Sequence, residues 1–74
     1  MSARPVKRSL TLHGHRTSVS LEDAFWRELR RLADAEGVSL NALTERIDEV
    51  RGEAGLASAI RVWVLERALP APGG

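Results

Sequence analysis

The two histidines, His13 and His15, are the side chains of this 74-residue sequence best suited to metal chemistry. Side chains two positions apart on a strand share a face, so two imidazoles could bind one ion. Such a site would be weak, because Gly14 between them is flexible and residues 1–21 contain no carboxylate. We therefore expect no metal and no cofactor, and assign the histidines to a turn or to a phosphate contact.

The other residue types do not predict catalysis. Cysteine is absent, no histidine occurs outside this segment, and no glycine-rich loop has the spacing that cradles a phosphate. The carboxylates lie on predicted helix faces among basic side chains, so they form no buried pair for general acid–base work. We expect a protein that is not an enzyme.

The basic residues are unevenly distributed. The formal net charge is only +1, but residues 1–21 carry Arg4, Lys7, Arg8 and Arg16 and no acidic residue. The rest of the chain carries seven basic and ten acidic residues. A local excess of positive charge is typical of a nucleic-acid contact, although a solvated basic tail has the same composition.

The element that would position these side chains is a short strand over residues 16–21, where polar and apolar residues alternate. Upstream, Leu10 and Leu12 occupy even positions, whereas Val19 and Leu21 occupy odd positions. Because side chains alternate between the two faces of a strand, one continuous strand cannot bury both pairs in the same core.

A turn or bulge at Gly14 could reset the register. Either residues 8–12 are the first strand of a short hairpin, or residues 1–15 form a basic arm that docks separately and is mobile as far as Lys7. The chain is divided accordingly into a basic arm 1–15, a core 16–51, a helical extension 52–69 and a disordered tail 70–74.

Apolar residues recur with helical spacing in three segments, which predicts helices over 22–36, 40–51 and 56–69. Gly37 follows the first helix as a left-handed residue, and Ser39 begins the second as an N-cap. The third segment is apolar nearly all round and must be covered on two faces. Its β-branched residues leave a strand as the alternative there.

The length of the chain favours self-association. A domain this small buries little of its surface and has no cysteine for disulfides, so a second copy is the favoured source of stability. A single strand also needs a backbone partner. No apolar run approaches the ~20 residues that span a bilayer, and no apolar segment follows the basic N-terminus as in a secretory signal. We expect a cytoplasmic protein.

The order of strand, helix, glycine turn and helix resembles the ribbon-helix-helix (Arc/MetJ-like) family of bacterial DNA-binding proteins. The resemblance rests on RTSVSL at 16–21, on a first helix ending in Glu36 and Gly37, and on VSLN at 38–41. It implies a mainly α fold with one short strand that pairs antiparallel with its copy in an intertwined homodimer, plus an extra C-terminal helix. The dimer core would contain Val19, Leu21, Phe25, Leu29, Leu32, Leu43 and Ile47.

The same resemblance implies roles for the outward side chains of the ribbon, which would enter the major groove of DNA. Arg16, Ser18 and Ser20 match the base-reading positions, and Arg16 is able to make a bidentate contact to guanine. Ser20 has an alternative role, because Ser20 and Asp23 have the spacing of a capping box for the first helix. The residues expected to bind DNA phosphates are Arg4, Lys7, Arg8, Ser39, Leu40 and Asn41.

Two functions remain open. The first is a dimeric, sequence-specific DNA-binding protein that regulates transcription, with double-stranded DNA and a second copy as partners and no membrane partner. The alternative is a protein-interaction module, antitoxin-like or a scaffold dimer, with weak or no DNA binding. In that case Val62 and Trp63 of the C-terminal helix would bind another protein. The acidic residues Asp48, Glu49 and Glu53 near the second helix favour this alternative.

Overall fold

Five elements make up residues 4–69, the part of the chain that the computed structural model describes. They are β1 (Pro5–Leu12), β2 (His15–Glu22), α1 (Asp23–Glu36), α2 (Leu40–Val50) and α3 (Leu56–Ala68). A two-stranded antiparallel sheet is thus followed by three helices. The helices agree with the predicted segments to within one residue at each end, and the third is a helix rather than a strand. The predicted tail 70–74 and the first residues of the predicted arm, 1–3, lie outside the described residues.

β1 and β2 form a hairpin that turns at His13 and Gly14. Both residues have positive φ, 51° and 79°, which is the condition for a two-residue type I′ turn. The turn places the even-numbered residues of β1 and the odd-numbered residues of β2 on the same inner face. The choice between a hairpin and a separate arm is resolved in favour of the hairpin. Its first strand begins at Pro5, inside the segment predicted to be mobile.

β2 finds its backbone partner in the same chain, whereas the sequence predicts the equivalent strand of a second copy. A two-residue turn joins the two strands at a small entropic cost. This pairing uses one edge of β2, and the predicted pairing with a second copy would use the other edge and stays a prediction. Hydrogen-bonded and non-hydrogen-bonded residue pairs alternate along an antiparallel hairpin. Counted from the turn, Lys7 and Ser20 form a non-hydrogen-bonded pair, so the carbonyl of Ser20 points away from β1. That carbonyl accepts a hydrogen bond from Arg61 Nη2 of α3 at 3.4 Å.

The inner face of the hairpin packs on the three helices and forms the core. Phe25 and Leu32, both predicted to lie in it, are only half-buried, because α1 buries Trp26 and Ala33 instead. The other five residues predicted for a dimer core are buried within the single chain. The buried apolar residues are Leu10, Leu12, Val19, Leu21, Trp26, Leu29, Ala33, Leu43, Ile47, Ile60 and Val64.

The connection between α1 and α2 follows its sequence signals. Gly37 adopts φ 71° and ends α1, and the N–H of Val38 donates to the carbonyl of Ala33 at 3.0 Å. Ser39 then caps α2, since its Oγ accepts a hydrogen bond from the N–H of Ala42 at 3.0 Å. Both predicted caps are confirmed.

The start of α1 does not follow the capping-box interpretation. Glu22 is the N-cap residue and makes no side-chain capping hydrogen bond. The carboxylate of Asp23 instead pairs with Arg27, with 3.0 Å between Oδ2 and Nε. The box between Ser20 and Asp23 is therefore not formed, and Ser20 remains exposed on the outside of the hairpin.

α3 has one covered face and one open face. Ile60 and Val64 are buried against the core, whereas Val62 and Leu65 are 55% and 53% exposed on the opposite side. Leu69, the extended residue that ends α3, is 56% exposed. Together with Val50 of α2, which is 76% exposed, these three residues form what we call the apolar surface. A cavity of about 270 Å³ between α2 and α3 lies beside it, lined in part by Val50, Val62 and Trp63. Within residues 4–69, no helix is long and apolar enough to cross a membrane.

Candidate nucleic-acid interface

The outer side of the hairpin carries four cross-strand pairs, and the six side chains of three of them are exposed and not acidic. The fourth pair, Pro5 with Glu22 at the open end of the hairpin, contains a half-buried carboxylate. Directly opposite side chains lie about 5 Å apart, so the six form one continuous polar surface. We call this set the outer face. The pairs are Lys7 with Ser20, Ser9 with Ser18, and Thr11 with Arg16.

The three residues predicted to read bases, Arg16, Ser18 and Ser20, all lie on the outer face in β2. Neither Arg16 nor Lys7 forms an ion pair with any other residue that the structure describes. A two-stranded ribbon, with strands about 4.8 Å apart, fits a major groove about 12 Å wide. The hairpin can therefore present uncommitted donors and acceptors to the edges of base pairs.

A second basic surface lies on the inner side of β1, beside α1. It is a cavity of about 80 Å³ that we call the basic cleft. Arg27 is paired with Asp23 there, while Arg30 forms no ion pair within residues 4–69. The guanidinium of Arg8 lies over the ring of Trp26, with 5.6 Å between its central carbon and the ring centroid. Three guanidiniums against one carboxylate leave the cleft net positive. Its lining residues are Arg8, Asp23, Trp26, Arg27, Arg30 and Leu40.

The N-terminus of α2 meets the basic cleft at Leu40. In the first turn, the N–H of Ala42 donates to Ser39 Oγ and the N–H of Leu43 donates to the Ser39 carbonyl, both at 3.0 Å. The N–H groups of Leu40 and Asn41 precede these bonds at the positive end of the helix dipole. The cleft and the helix end together suit an anion such as a phosphate group.

The residues predicted to bind phosphate are separated by the structure. Arg8 and Leu40 both line the basic cleft, and Ser39 and Asn41 flank Leu40. Lys7, however, lies on the outer face, because adjacent residues of a strand point to opposite sides.

The site also contains residues that the sequence interpretation missed. Arg27 and Arg30 have the i, i+3 spacing that places them on one face of α1, so the sequence alone could have grouped these two residues. What the sequence does not reveal is that β1 lies beside that face. Ser9 and Thr11 were missed for a related reason, since the alternation of residues 5–12 is meaningful only once this segment is known to be a strand.

The hairpin turn is held against α2. The N–H of His13 donates to Glu45 Oε2 at 2.6 Å, and its Nε2 lies 3.8 Å from Asp48 Oδ2 and 3.9 Å from Glu49 Oε1. His15 is exposed after the turn. In the described part of the chain, no three or more histidine or carboxylate side chains are grouped to hold a metal ion.

The carboxylate at the far end of β2 is neutralised by α3. Glu22 accepts hydrogen bonds from Arg61 Nε at 2.8 Å and Nη2 at 3.1 Å. The hydrogen bond from Arg61 lowers the pKa of Glu22 below its ordinary value of 4.5. The one acidic residue of the hairpin, which strand alternation places on the same side as Ser20 and Ser18, is therefore neutralised by an ion pair.

Comparison with known proteins identifies the class of the domain. The family model of the ribbon-helix-helix domain matches residues 5–68. The chain therefore belongs to the ribbon-helix-helix domain family, whose members generally bind DNA as transcription regulators. The predicted resemblance is confirmed.

The chain is also similar to a protein of known structure. The chain is similar to an uncharacterized protein from Bordetella pertussis Tohama I, with 40% identity and a TM-score of 0.74. The match covers 95% of this chain and 66% of that protein, so this chain spans just under two thirds of its length. The comparison with curated proteins gave no match.

Proposed function

We propose that this chain is a sequence-specific DNA-binding protein that regulates transcription. The hairpin enters the major groove with its outer face against the base edges. Arg16 makes the most selective contact, because a guanidinium can donate to both O6 and N7 of guanine. Ser18 and Ser20 add weaker contacts, since a hydroxyl can donate to or accept from several base edges.

The composition of the outer face is the observation that carries this proposal. Its six side chains comprise two cations and four hydroxyl-bearing residues. The one carboxylate on this side of the hairpin, Glu22, lies at its open end and is half-buried. A surface that approaches DNA requires such a lack of exposed negative charge, whereas a strand face that is merely solvated does not. The paired state of Glu22 supports the same conclusion, because its charge is compensated by Arg61.

The basic cleft supports contacts to the DNA backbone. Arg8, with the two α1 arginines beside it, supplies positive charge, and Ser39, Leu40 and Asn41 form the helix end that accepts an anion. Arg4, exposed just before β1, adds a further cation. Contacts of this kind hold a protein on the duplex without reading its sequence, and they weaken steeply with salt.

Self-association is part of the proposal, since ribbon-helix-helix proteins typically form homodimers. The pairing of β2 with its copy stays a prediction. It would use the β2 edge where Arg61 contacts Ser20, and it would widen the ribbon to four strands. The apolar surface offers a contact that leaves the hairpin intact, and we place the second copy there. It carries enough exposed apolar side chains to favour burial.

The apolar surface also favours a second candidate function. If its occupant is a different protein, the chain is an interaction module built on a DNA-binding fold, with weak or no DNA binding of its own. The two candidates differ in whether the purified protein alone binds duplex DNA and associates with itself.

Selection of bound fragments from a pool of random duplexes tests DNA binding directly. The recovered site and a scrambled version are then titrated by fluorescence anisotropy at low salt. We expect tighter binding to the selected site, and we expect Arg16→Ala to bring the two affinities closer together. Arg46→Ala removes an equal charge from α2, where Arg46 forms an exposed ion pair with Glu36 of α1, so it serves as the control. Folded protein that binds neither duplex at low salt would refute the proposal.

A further inference from the structure

We infer that β1 is a second base-reading strand, in which Lys7, Ser9 and Thr11 contact base edges beside the side chains of β2. The inference rests on the proposed DNA binding and extends it to specific positions. It also changes the role of Lys7, which the sequence assigns to phosphate binding.

The strand register is the first support. Each of the three β1 residues lies directly opposite a residue of the β2 row, and all six are exposed on the same side of the sheet. Both strands of the groove-sized ribbon therefore belong to one chain. A ribbon that presents the β2 row to the base edges must present the β1 row at the same depth, because the strands are only about 4.8 Å apart.

The contrast between Lys7 and Arg8 is the second support. These neighbouring cations point to opposite sides of the sheet. The guanidinium of Arg8 lies over Trp26 in the basic cleft, whereas Lys7 forms no ion pair within residues 4–69 and faces outward opposite Ser20. The two adjacent cations of β1 thus have different roles, with Lys7 facing the base edges and Arg8 facing the DNA backbone.

The chemistry of the three side chains suits base edges. The ammonium of Lys7 can donate to guanine O6 or N7. The hydroxyls of Ser9 and Thr11 can each donate to or accept from base edges. Thr11 is paired with Arg16, so the pair would read neighbouring base positions.

The hairpin is also held at both ends, which prevents β1 from turning away from β2. Near its start, Val6 accepts a hydrogen bond from Trp26 Nε1 at 2.8 Å. At the turn, the N–H of His13 donates to Glu45 at 2.6 Å. The two strands therefore approach DNA as one unit.

A matched pair of variants tests the inference. Lys7→Met and Arg8→Met each remove one charge and keep an apolar stem of similar length. Circular dichroism first establishes that both proteins are folded. Anisotropy titrations then compare the affinity for the selected duplex with that for its scrambled version at two salt concentrations.

We expect Lys7→Met to lower the ratio of the two affinities by about tenfold, as loss of a specific base contact does. A new selection with this variant should lose the preference at one position of the site. Arg8→Met should lower both affinities by the same factor, leave the ratio unchanged and flatten the salt dependence. Thr11→Val, which keeps the side-chain shape and removes the hydroxyl, should change the ratio in the same direction as Lys7→Met.

The result that overturns the inference is an unchanged affinity ratio for Lys7→Met and Thr11→Val while the wild-type protein still prefers its selected site. In that case β1 contacts only the DNA backbone, and the proposed function stands. Failure of the wild-type protein to bind any duplex is a separate result, because it removes the proposed function and the inference together.

Discussion

The indole Nε1 of Trp26 lies 2.8 Å from the carbonyl oxygen of Val6, so a hydrogen bond joins α1 to the first strand of the hairpin. Trp26 is only 3% exposed, and Arg8 lies over its ring. This one side chain therefore connects the core, the hairpin and the basic cleft.

Replacement of Trp26 by phenylalanine should lower the free energy of unfolding by about 1–3 kcal/mol, because it removes the hydrogen bond and leaves a small void. Urea denaturation followed by circular dichroism measures the change. Trp63→Phe is the control, since Trp63 is half-buried and we expect a smaller loss there. Equal losses in the two variants would contradict the assigned role of the Trp26 hydrogen bond.

Gly14→Ala should destabilise the protein through the backbone of the hairpin turn. Gly14 has φ +79°, which costs an L-residue roughly 1–2 kcal/mol, and no atom would obstruct the added methyl group. The matched variant is Gly55→Ala, where the methyl group is also unobstructed but φ is −64°. We expect a smaller loss there in the same denaturation experiment, because Gly55 is the N-cap of α3 and only the cap preference for glycine over alanine opposes the change. Similar losses at both glycines would argue against a strained turn.

Arg30→Ala should weaken binding to all duplexes by a similar factor, because Arg30 lines the basic cleft and forms no ion pair within residues 4–69. The slope of log affinity against log salt should decrease by about one. Arg31→Ala is the control from the next position of α1, where the guanidinium is paired with Glu28 and lies outside the cleft. Anisotropy titrations over a salt series measure both slopes, and identical slopes would exclude a phosphate contact at Arg30.

The ion pair of Glu22 with Arg61 should make stability depend on pH. The pKa of Glu22 is lowered from 4.5 by the hydrogen bond from Arg61, so the pair stabilises the fold above pH 4.5. This stabilisation is lost as the pH falls from 4.5 through the lower pKa of the folded state. Denaturation of the wild-type protein and Glu22→Gln should therefore differ most near neutral pH and converge in acid. A constant difference down to pH 3 would contradict this linkage.

Val62→Asp should abolish self-association without unfolding the monomer. Val62 is 55% exposed and belongs to the apolar surface, so a carboxylate there is tolerated in water and costly in an interface. Sedimentation at micromolar concentrations measures the mass of wild-type protein and variant. Ala35→Asp adds the same charge at an exposed position of α1 and should leave the mass unchanged. A dimer that survives Val62→Asp would instead favour pairing through β2.

The three helices were predictable because their signals are local. The periodic apolar residues, Gly37 as the left-handed end of α1 and Ser39 as the cap of α2 act within a few residues of one another. The partner of β2 was not predictable in the same way. The apolar residues change from even to odd positions near residue 14, which requires a turn or bulge there but does not say which strand pairs with β2. A histidine with positive φ at position 13 gives no strong turn signal.

The candidate site also has one part that local sequence patterns predict and one part that they do not. The outward positions of Arg16, Ser18 and Ser20 follow from strand alternation alone. The meeting of Arg8 with Arg27 and Arg30 depends on how the hairpin packs against α1, which no local pattern encodes. Burial of Trp26 in place of Phe25 has the same origin, since the packing of β1 decides which side of α1 is covered.

The opposite orientation of Lys7 and Arg8 limits how the first strand can change in length. One residue added or deleted between Leu10 and the turn would move every preceding side chain of β1 to the other side of the sheet, carrying Leu10 into water and Ser9 into the core. Two residues added together would restore the original orientation. Viable natural variants of this strand should therefore lengthen or shorten in steps of two.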